Sequence, residues 1–206
     1  MSPELAVRDA SPVITWESSV PEGLIIEMLA HMDAGDRHKW TGDQDTRPLS
    51  ELGRRQANRL CDALGRDPID GLYSSAALRA RQSIEPLAQR FAVPITVLPG
   101  LHETGWLPPP LWRTPNTASD IGPLGGSYAA GAAMRALDAI RTNHSAGRVV
   151  ACTHGDVLPS LIVYLISAFD LDLPAPNHTR GGWYTLVFED TRVDVQHHEI
   201  LQDFPL

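Results

Sequence analysis

Cysteine is scarce in this chain: Cys61 and Cys152 are the only two among 206 residues. Two are too few for a disulfide framework, and both fall in apolar segments. We expect reduced, buried thiols and a cytoplasmic setting. Long apolar runs are missing as well. None approaches the roughly 18 residues of a membrane span, so no membrane partner is expected. The stretch from Met1 to Val20 carries Glu4, Asp9 and Glu17, and lacks the basic start and apolar block of a secretory signal. Positive charge is in deficit: 17 Lys and Arg stand against 25 Asp and Glu, a formal net charge of −8. That balance opposes binding to nucleic acid or anionic lipid. It leaves room for a small anionic substrate held in a local basic pocket.

What is present is ordinary for a globular domain, with 43% hydrophobic and 20% charged residues. The length suits one domain that needs no metal or disulfide staple. Residues 1–21 show no sustained periodicity and are expected to form a tail or arm ahead of a domain over 22–206. Leu24 to Leu29 is a short, mostly apolar run, the mark of a buried strand. A polar, loop-like stretch follows from His31 to Pro48. Ser50 can cap a helix in which Ala57, Leu60, Cys61 and Leu64 share one face. Leu72-Tyr73 begins a brief strand that ends at Ser74-Ser75. Ala77, Ala80, Ile84, Leu87, Ala88 and Phe91 then line one side of a helix, and Ile95 to Leu98 reads as strand.

The stretch around 105–123 differs. It holds Pro108, Pro109, Pro110, Pro115 and Pro123 together with Trp106 and Trp112, a composition that fits neither regular helix nor central strand. We expect a lid or binding loop there, with the two tryptophans as an apolar wall. Helix resumes from Ser127 to Asn143, and Val149 to Thr153 is another buried strand. Val157 to Phe169 reads as helix, with Pro159 tolerated in its first turn. Trp183–Phe188 and Val193–Ile200 read as two joined strands. Strand and helix therefore alternate, which predicts a three-layer α/β/α sandwich around a mainly parallel sheet. Ligands in such folds sit beyond the carboxyl ends of the strands.

Several strand ends carry reactive side chains. Ala30-His31 follows the first strand. Ser74-Ser75 follows the second, with Arg79 one helical turn on. Leu101-His102-Glu103 follows the third, and His154-Gly155-Asp156 follows the strand ending at Thr153. Two histidines, an arginine and a glutamate can thus converge on one crevice. Alone, each has a bland explanation: a structural histidine, a surface ion pair, a solvated carboxylate.

Together they resemble the histidine phosphatase superfamily, with its phosphoglycerate-mutase-like fold. The matching pieces are His31, the run Arg47-Pro48-Leu49-Ser50-Glu51-Leu52-Gly53 and on to Ala57, the run Tyr73 to Ser83, Leu101-His102-Glu103, and Cys152 to Val157. Their order and spacing agree across roughly residues 24–165. The first loop, with Ala34-Gly35-Asp36-Arg37, Trp40, Gly42 and Asp43, resembles a small bacterial branch. The resemblance implies a hydrolase in which the His31 imidazole attacks phosphorus, giving a phosphohistidine that splits one hard displacement into two easier ones. Arg79, with Ser75 beside it, and His154 would hold the phosphoryl oxygens, Arg79 through its bidentate fork. Glu103 would protonate the leaving oxygen and then activate water. No metal or other cofactor is implied, the substrate would be a small phosphorylated metabolite, and a homodimer stays open.

The chain departs from the family inside the signature. The arginine that ordinarily precedes the nucleophilic histidine is Ala30 here. Three readings follow. The protein is still a phosphatase, weakened or retuned, with another cation standing in: Arg37 is the first candidate, and Arg47 and Arg113 come after it. Or phosphate chemistry is gone, and His31, His154 and Glu103 do acid–base work on a small carboxylate-bearing metabolite, as a lyase, dehydratase or isomerase. Or the chain is a non-catalytic binder that kept the fold. The glycines of Gly122-Pro123-Leu124-Gly125-Gly126 lack a phosphate-loop pattern and are expected to start the next helix. His197-His198 would face opposite sides of a strand, which argues against a shared metal.

Overall fold

The computed structural model describes residues 23–104, 123–174, 176, 181–189 and 192–199. The strands are β1 (Leu24–Ala30), β2 (Gly71–Ser74), β3 (Ile95–Val97), β4 (Gly147–Thr153), β5 (Trp183–Glu189) and β6 (Arg192–His198). The helices are α1 (Glu51–Leu64), α2 (Leu78–Phe91), α3 (Pro123–Asn143) and α4 (Val157–Phe169). Short 3-10 turns occupy Gln44–Thr46 and Pro99–Leu101.

All six strands form one sheet in the order β3-β2-β4-β1-β5-β6. The first four run parallel, β5 runs antiparallel to β1, and β6 runs antiparallel to β5. The mainly parallel three-layer sandwich is therefore present. Strand alternation explains the two cores. Leu24, Ile26, Met28 and Ala30 face α3 and α4 together with Tyr184, Leu186 and Phe188. Leu29, Leu72, Val150 and Cys152 face the other way, onto α1 and α2. Central strands β1 and β4 are buried on both faces, which is why they read as continuous apolar runs.

The helices follow their sequence signals closely. Ser50 caps α1, its hydroxyl accepting from the Gly53 amide at 3.0 Å. α3 begins at Pro123, four residues before the alanine-rich stretch that marked it, because proline loses no needed hydrogen bond in a first turn. The expected lid boundary at 123 moves accordingly. The rest of that lid, with Trp106, Trp112 and Arg113, lies outside the described residues, as does the tail 1–21. Both cysteines are buried and free, and burial pushes the Cys152 thiol up to about 12. His198 stacks on Trp183 at 4.8 Å and His197 packs on Tyr184 at 4.7 Å, on opposite faces of the sheet. Among the described residues no helix is long and apolar enough to cross a membrane.

One close approach positions the first loop. A Cβ on Gly53 would lie 1.9 Å from the Asp33 carbonyl oxygen. The Ser50 amide donates to the same oxygen at 3.0 Å, and the Ser50 hydroxyl donates to Asp33 Oδ1 at 2.5 Å. The start of α1 is thus pressed against the chain just after β1. Gly53→Ala is expected to cost about 1–3 kcal/mol of stability, through backbone overlap that only a shift of the loop relieves. A lower urea midpoint at unchanged slope is the expected readout; an unchanged midpoint would show that the loop yields freely.

Candidate active site

The carboxyl ends of β1, β2 and β4 bring the expected residues together. The His31 amide donates to the Thr153 carbonyl at 2.9 Å, which extends the β1–β4 ladder by one residue. Its ring Nδ1 lies 2.7 Å from the Met32 carbonyl oxygen. A carbonyl only accepts, so Nδ1 carries the proton and Nε2 presents a lone pair. That lone pair accepts from Arg79 Nε at 3.2 Å.

Arg79 sits in the first turn of α2 and is fully buried. Four of its five N–H donors have partners. Nη1 donates to the Gln44 carbonyl at 2.5 Å, and Nη2 donates to His154 Nδ1 at 3.3 Å. Nη2 also pairs with Glu103 Oε1 at 2.9 Å. His154 is buried too, and its ring meets that of His31 edge-on at 5.3 Å. Burial holds its imidazole well below the usual histidine range, and the neighbouring charges of His31, Arg79, His102 and Arg47 act in the same direction. His154 is therefore neutral. Since Arg79 can only donate, Nδ1 accepts, and Nε2 donates to the Ser75 hydroxyl at 2.8 Å. Glu103 Oε2 lies 3.7 Å from His154 Nδ1, a near approach without a hydrogen bond in this protonation state.

Glu103 is placed by its neighbours. Asp156 accepts from the Thr104 amide at 2.8 Å and from the Thr104 hydroxyl at 2.7 Å. The Thr153 hydroxyl donates to the Leu101 carbonyl at 2.7 Å. The third strand end is thereby tied to the turn after β4.

His31, Ser75, Arg79, Glu103 and His154 thus form one cluster. Arg37 does not join it. It occupies an exposed turn over residues 37–39, and its carbonyl accepts from Gln44 Nε2 at 3.1 Å. Arg47 is the buried arginine of this loop, with Nη1 donating to the Ala34 and Gly35 carbonyls at 2.8 and 3.2 Å. Its Nε donates to Gln44 Oε1 at 3.0 Å. Ala30, the last residue of β1, is buried against the core beside α3 and α4. Sequence reasoning assigned no role to the Gln44 carbonyl, Asp45 or His102, all of which stand around the cluster. A polar turn in a long loop carries no periodic signal, so nothing local marked Gln44 and Asp45. Among the described residues no group of three potential metal ligands converges.

Comparison with known proteins agrees with this geometry. The profile of the histidine phosphatase superfamily (branch 1) matches residues 31–108. An 8-oxo-(d)GTP phosphatase of Mycolicibacterium smegmatis is 27% identical over 163 residues, covering 79% of this chain. The chain spans only 44% of that relative's length. Bacillus stearothermophilus YhfR superposes with a TM-score of 0.65 at 18% identity, over 84% of this chain and 95% of its own. Mycobacterial glucosyl-3-phosphoglycerate phosphatase Rv2419c gives 0.60 at 18% identity, over 85% and 98%. The protein histidine phosphatase SixA, solved with tungstate, gives 0.58 at 18% identity, over 85% and 96%. At these identities the solved structures speak for the fold, and the profile speaks for the segment that holds His31, Arg79 and Glu103. Fold and matched segment agree: residues 31–108 are similar to the histidine phosphatase superfamily, and the chain shares the fold of those solved structures.

Proposed function

We propose that this chain hydrolyses a phosphoric monoester of a small metabolite through a phosphohistidine at His31. The observation that carries this is the His31 tautomer. With Nδ1–H spent on the Met32 carbonyl, the Nε2 lone pair faces the one point where Arg79, Glu103 and His154 meet. Nε2 attacks phosphorus, the bond from phosphorus to the ester oxygen breaks, and the leaving oxygen takes a proton from Glu103, which first acquires it from the substrate's phosphate monoanion as the phosphoryl group displaces the carboxylate from Arg79. Glu103 as carboxylate then takes a proton from water. The water oxygen attacks phosphorus, the N–P bond breaks, and inorganic phosphate leaves. Arg79 and His154 contribute position and charge, which is most of what phosphoryl transfer needs. A phosphoryl group competes with Gln44 and Glu103 for Arg79 donors. The buried, free cysteines fit a cytoplasmic setting.

Ala30 sets the level of activity. Losing one preorganised donor typically costs about 10²–10³ in rate. The test is turnover of a generic aryl phosphate, with trapping of an acid-labile phosphoenzyme, on this chain and on Ala30→Arg. Position 30 ends its strand, so a long side chain can run out of the core toward the crevice. Ala30→Arg is expected to raise turnover by about the same 10²–10³. A folded Ala30→Arg variant with unchanged turnover would show that Ala30 does not restrain the chemistry. A second reading has one specific observation in its favour: four of the five Arg79 donors already have partners within the protein. If neither form turns over a phosphate ester, acid–base chemistry by His31, His154 and Glu103 on a carboxylate-bearing metabolite becomes the better account.

A further inference from the structure

The site holds one more imidazole than its chemistry uses. His31, His154 and His102 form a row, with ring centroids 5.3 and 5.7 Å apart. His102 Nε2 lies 3.4 Å from Asp45 Oδ1, in the same turn whose Gln44 carbonyl sits on Arg79. The opposite ring nitrogen, Nδ1, is buried and meets no hydrogen-bonding partner among the described residues. A buried polar atom without a partner is costly and calls for an explanation.

The partners define which form of the ring can work. A carboxylate only accepts, so an ion pair between Nε2 and Asp45 requires a proton on Nε2. Nδ1 then waits for a partner from outside. A phosphoryl dianion offers only acceptors, and Nδ1 can meet an acceptor only as N–H. The form with protons on both nitrogens is the imidazolium. Among the described residues the site also lacks a second positive charge. His154 is neutral, Arg79 shares its charge with Glu103, Arg37 lies on an exposed turn, and Arg47 is committed to backbone carbonyls and Gln44. Resting on the phosphoryl-transfer reading above, we propose that His102, held by Asp45, is a substrate-binding residue whose imidazolium supplies the positive charge that position 30 lacks.

The groups around it define its electrostatic setting. Asp45 faces it from the first loop, and His154 faces it from the end of β4. Behind His154 lie His31, Arg79 and Glu103, with the Arg47 field reaching His154 and Asp156 anchoring Thr104. The probe is inorganic sulfate, which stays a dianion across the range where histidines titrate, measured by calorimetric titration on the full chain. Wild type is expected to bind sulfate more tightly at about pH 6 than at about pH 8. His102→Phe keeps a ring against His154 and removes both nitrogens. It is expected to lose about tenfold in affinity at the lower pH and less than about twofold at the higher. His102→Asn restores an uncharged N–H and should recover part of the affinity without the pH dependence. Equal losses at both pH values would mark a merely structural ring and overturn the proposal. So would a His102→Phe variant that binds as wild type does, or a wild type that binds no sulfate. Aryl phosphate turnover is read separately. Turnover with sulfate binding indifferent to His102 ends this proposal and keeps the phosphatase. The predicted sulfate behaviour without turnover does the reverse.

Discussion

His31→Ala is expected to lower phosphomonoester turnover by about 10⁴-fold or more and to remove any acid-labile phosphoenzyme. The reason is that no neighbour among the described residues can take over the lone pair. His154, the nearest ring, has its Nδ1 occupied by Arg79 and its Nε2–H committed to Ser75. Glu103 is held on Arg79. Folding should survive, because the backbone amide of residue 31 keeps its bond to Thr153 whatever the side chain. The control is therefore a circular dichroism spectrum and urea midpoint close to wild type, measured beside turnover and phosphate labelling. An alanine variant that retains turnover would remove the phosphohistidine from the account altogether.

Arg79→Ala is expected to cost about 10³ in kcat/KM, and Arg79→Lys should recover little of it. Arg79 touches four separate groups through three nitrogens: the nucleophile, the Gln44 carbonyl, His154 and Glu103. A lysine ammonium can reach one or two of these, but it lacks the planar fork that serves them together. The alanine variant also leaves the Gln44 carbonyl and the Glu103 carboxylate without their donor, at about 1–3 kcal/mol of stability. Turnover must therefore be expressed per folded molecule. A lysine variant near wild-type rate would mean that Arg79 acts as a point charge, and the fork argument would fail.

Much of this architecture was legible before any coordinates. Leu24–Leu29 and Val149–Thr153 read as buried strands because both their faces are covered, and helices α1 and α4 begin where a capping serine or a first-turn proline signals them. Those signals are local, lying within a few residues of what they specify. The strand-end positions of His31, Ser75 and His154 followed from the same alternation, since chemistry in a mainly parallel sheet gathers at one edge. Edges were less secure: β6 ends at His198, not Ile200, and α3 starts at Pro123, not Ser127.

The choice among the loop cations was not legible. Arg37 and Arg47 lie in one polar stretch with no periodicity, and only the folded chain turns Arg47 inward onto the Ala34 and Gly35 carbonyls. The same holds for His102, whose two neighbours Asp45 and His154 are far from it in sequence and on different elements. By itself the sequence determined the alternation of strand and helix, the strand ends that carry reactive side chains, and the alanine at position 30. Only the tertiary structure decided the tautomers of His31 and His154, the four groups gathered on Arg79 and, among the described residues, the unpartnered nitrogen of His102. Hydrophobic periodicity and capping act along the chain and can be read there. Proton positions and ion pairs depend on which distant groups are brought within a few ångströms, and that is set by packing.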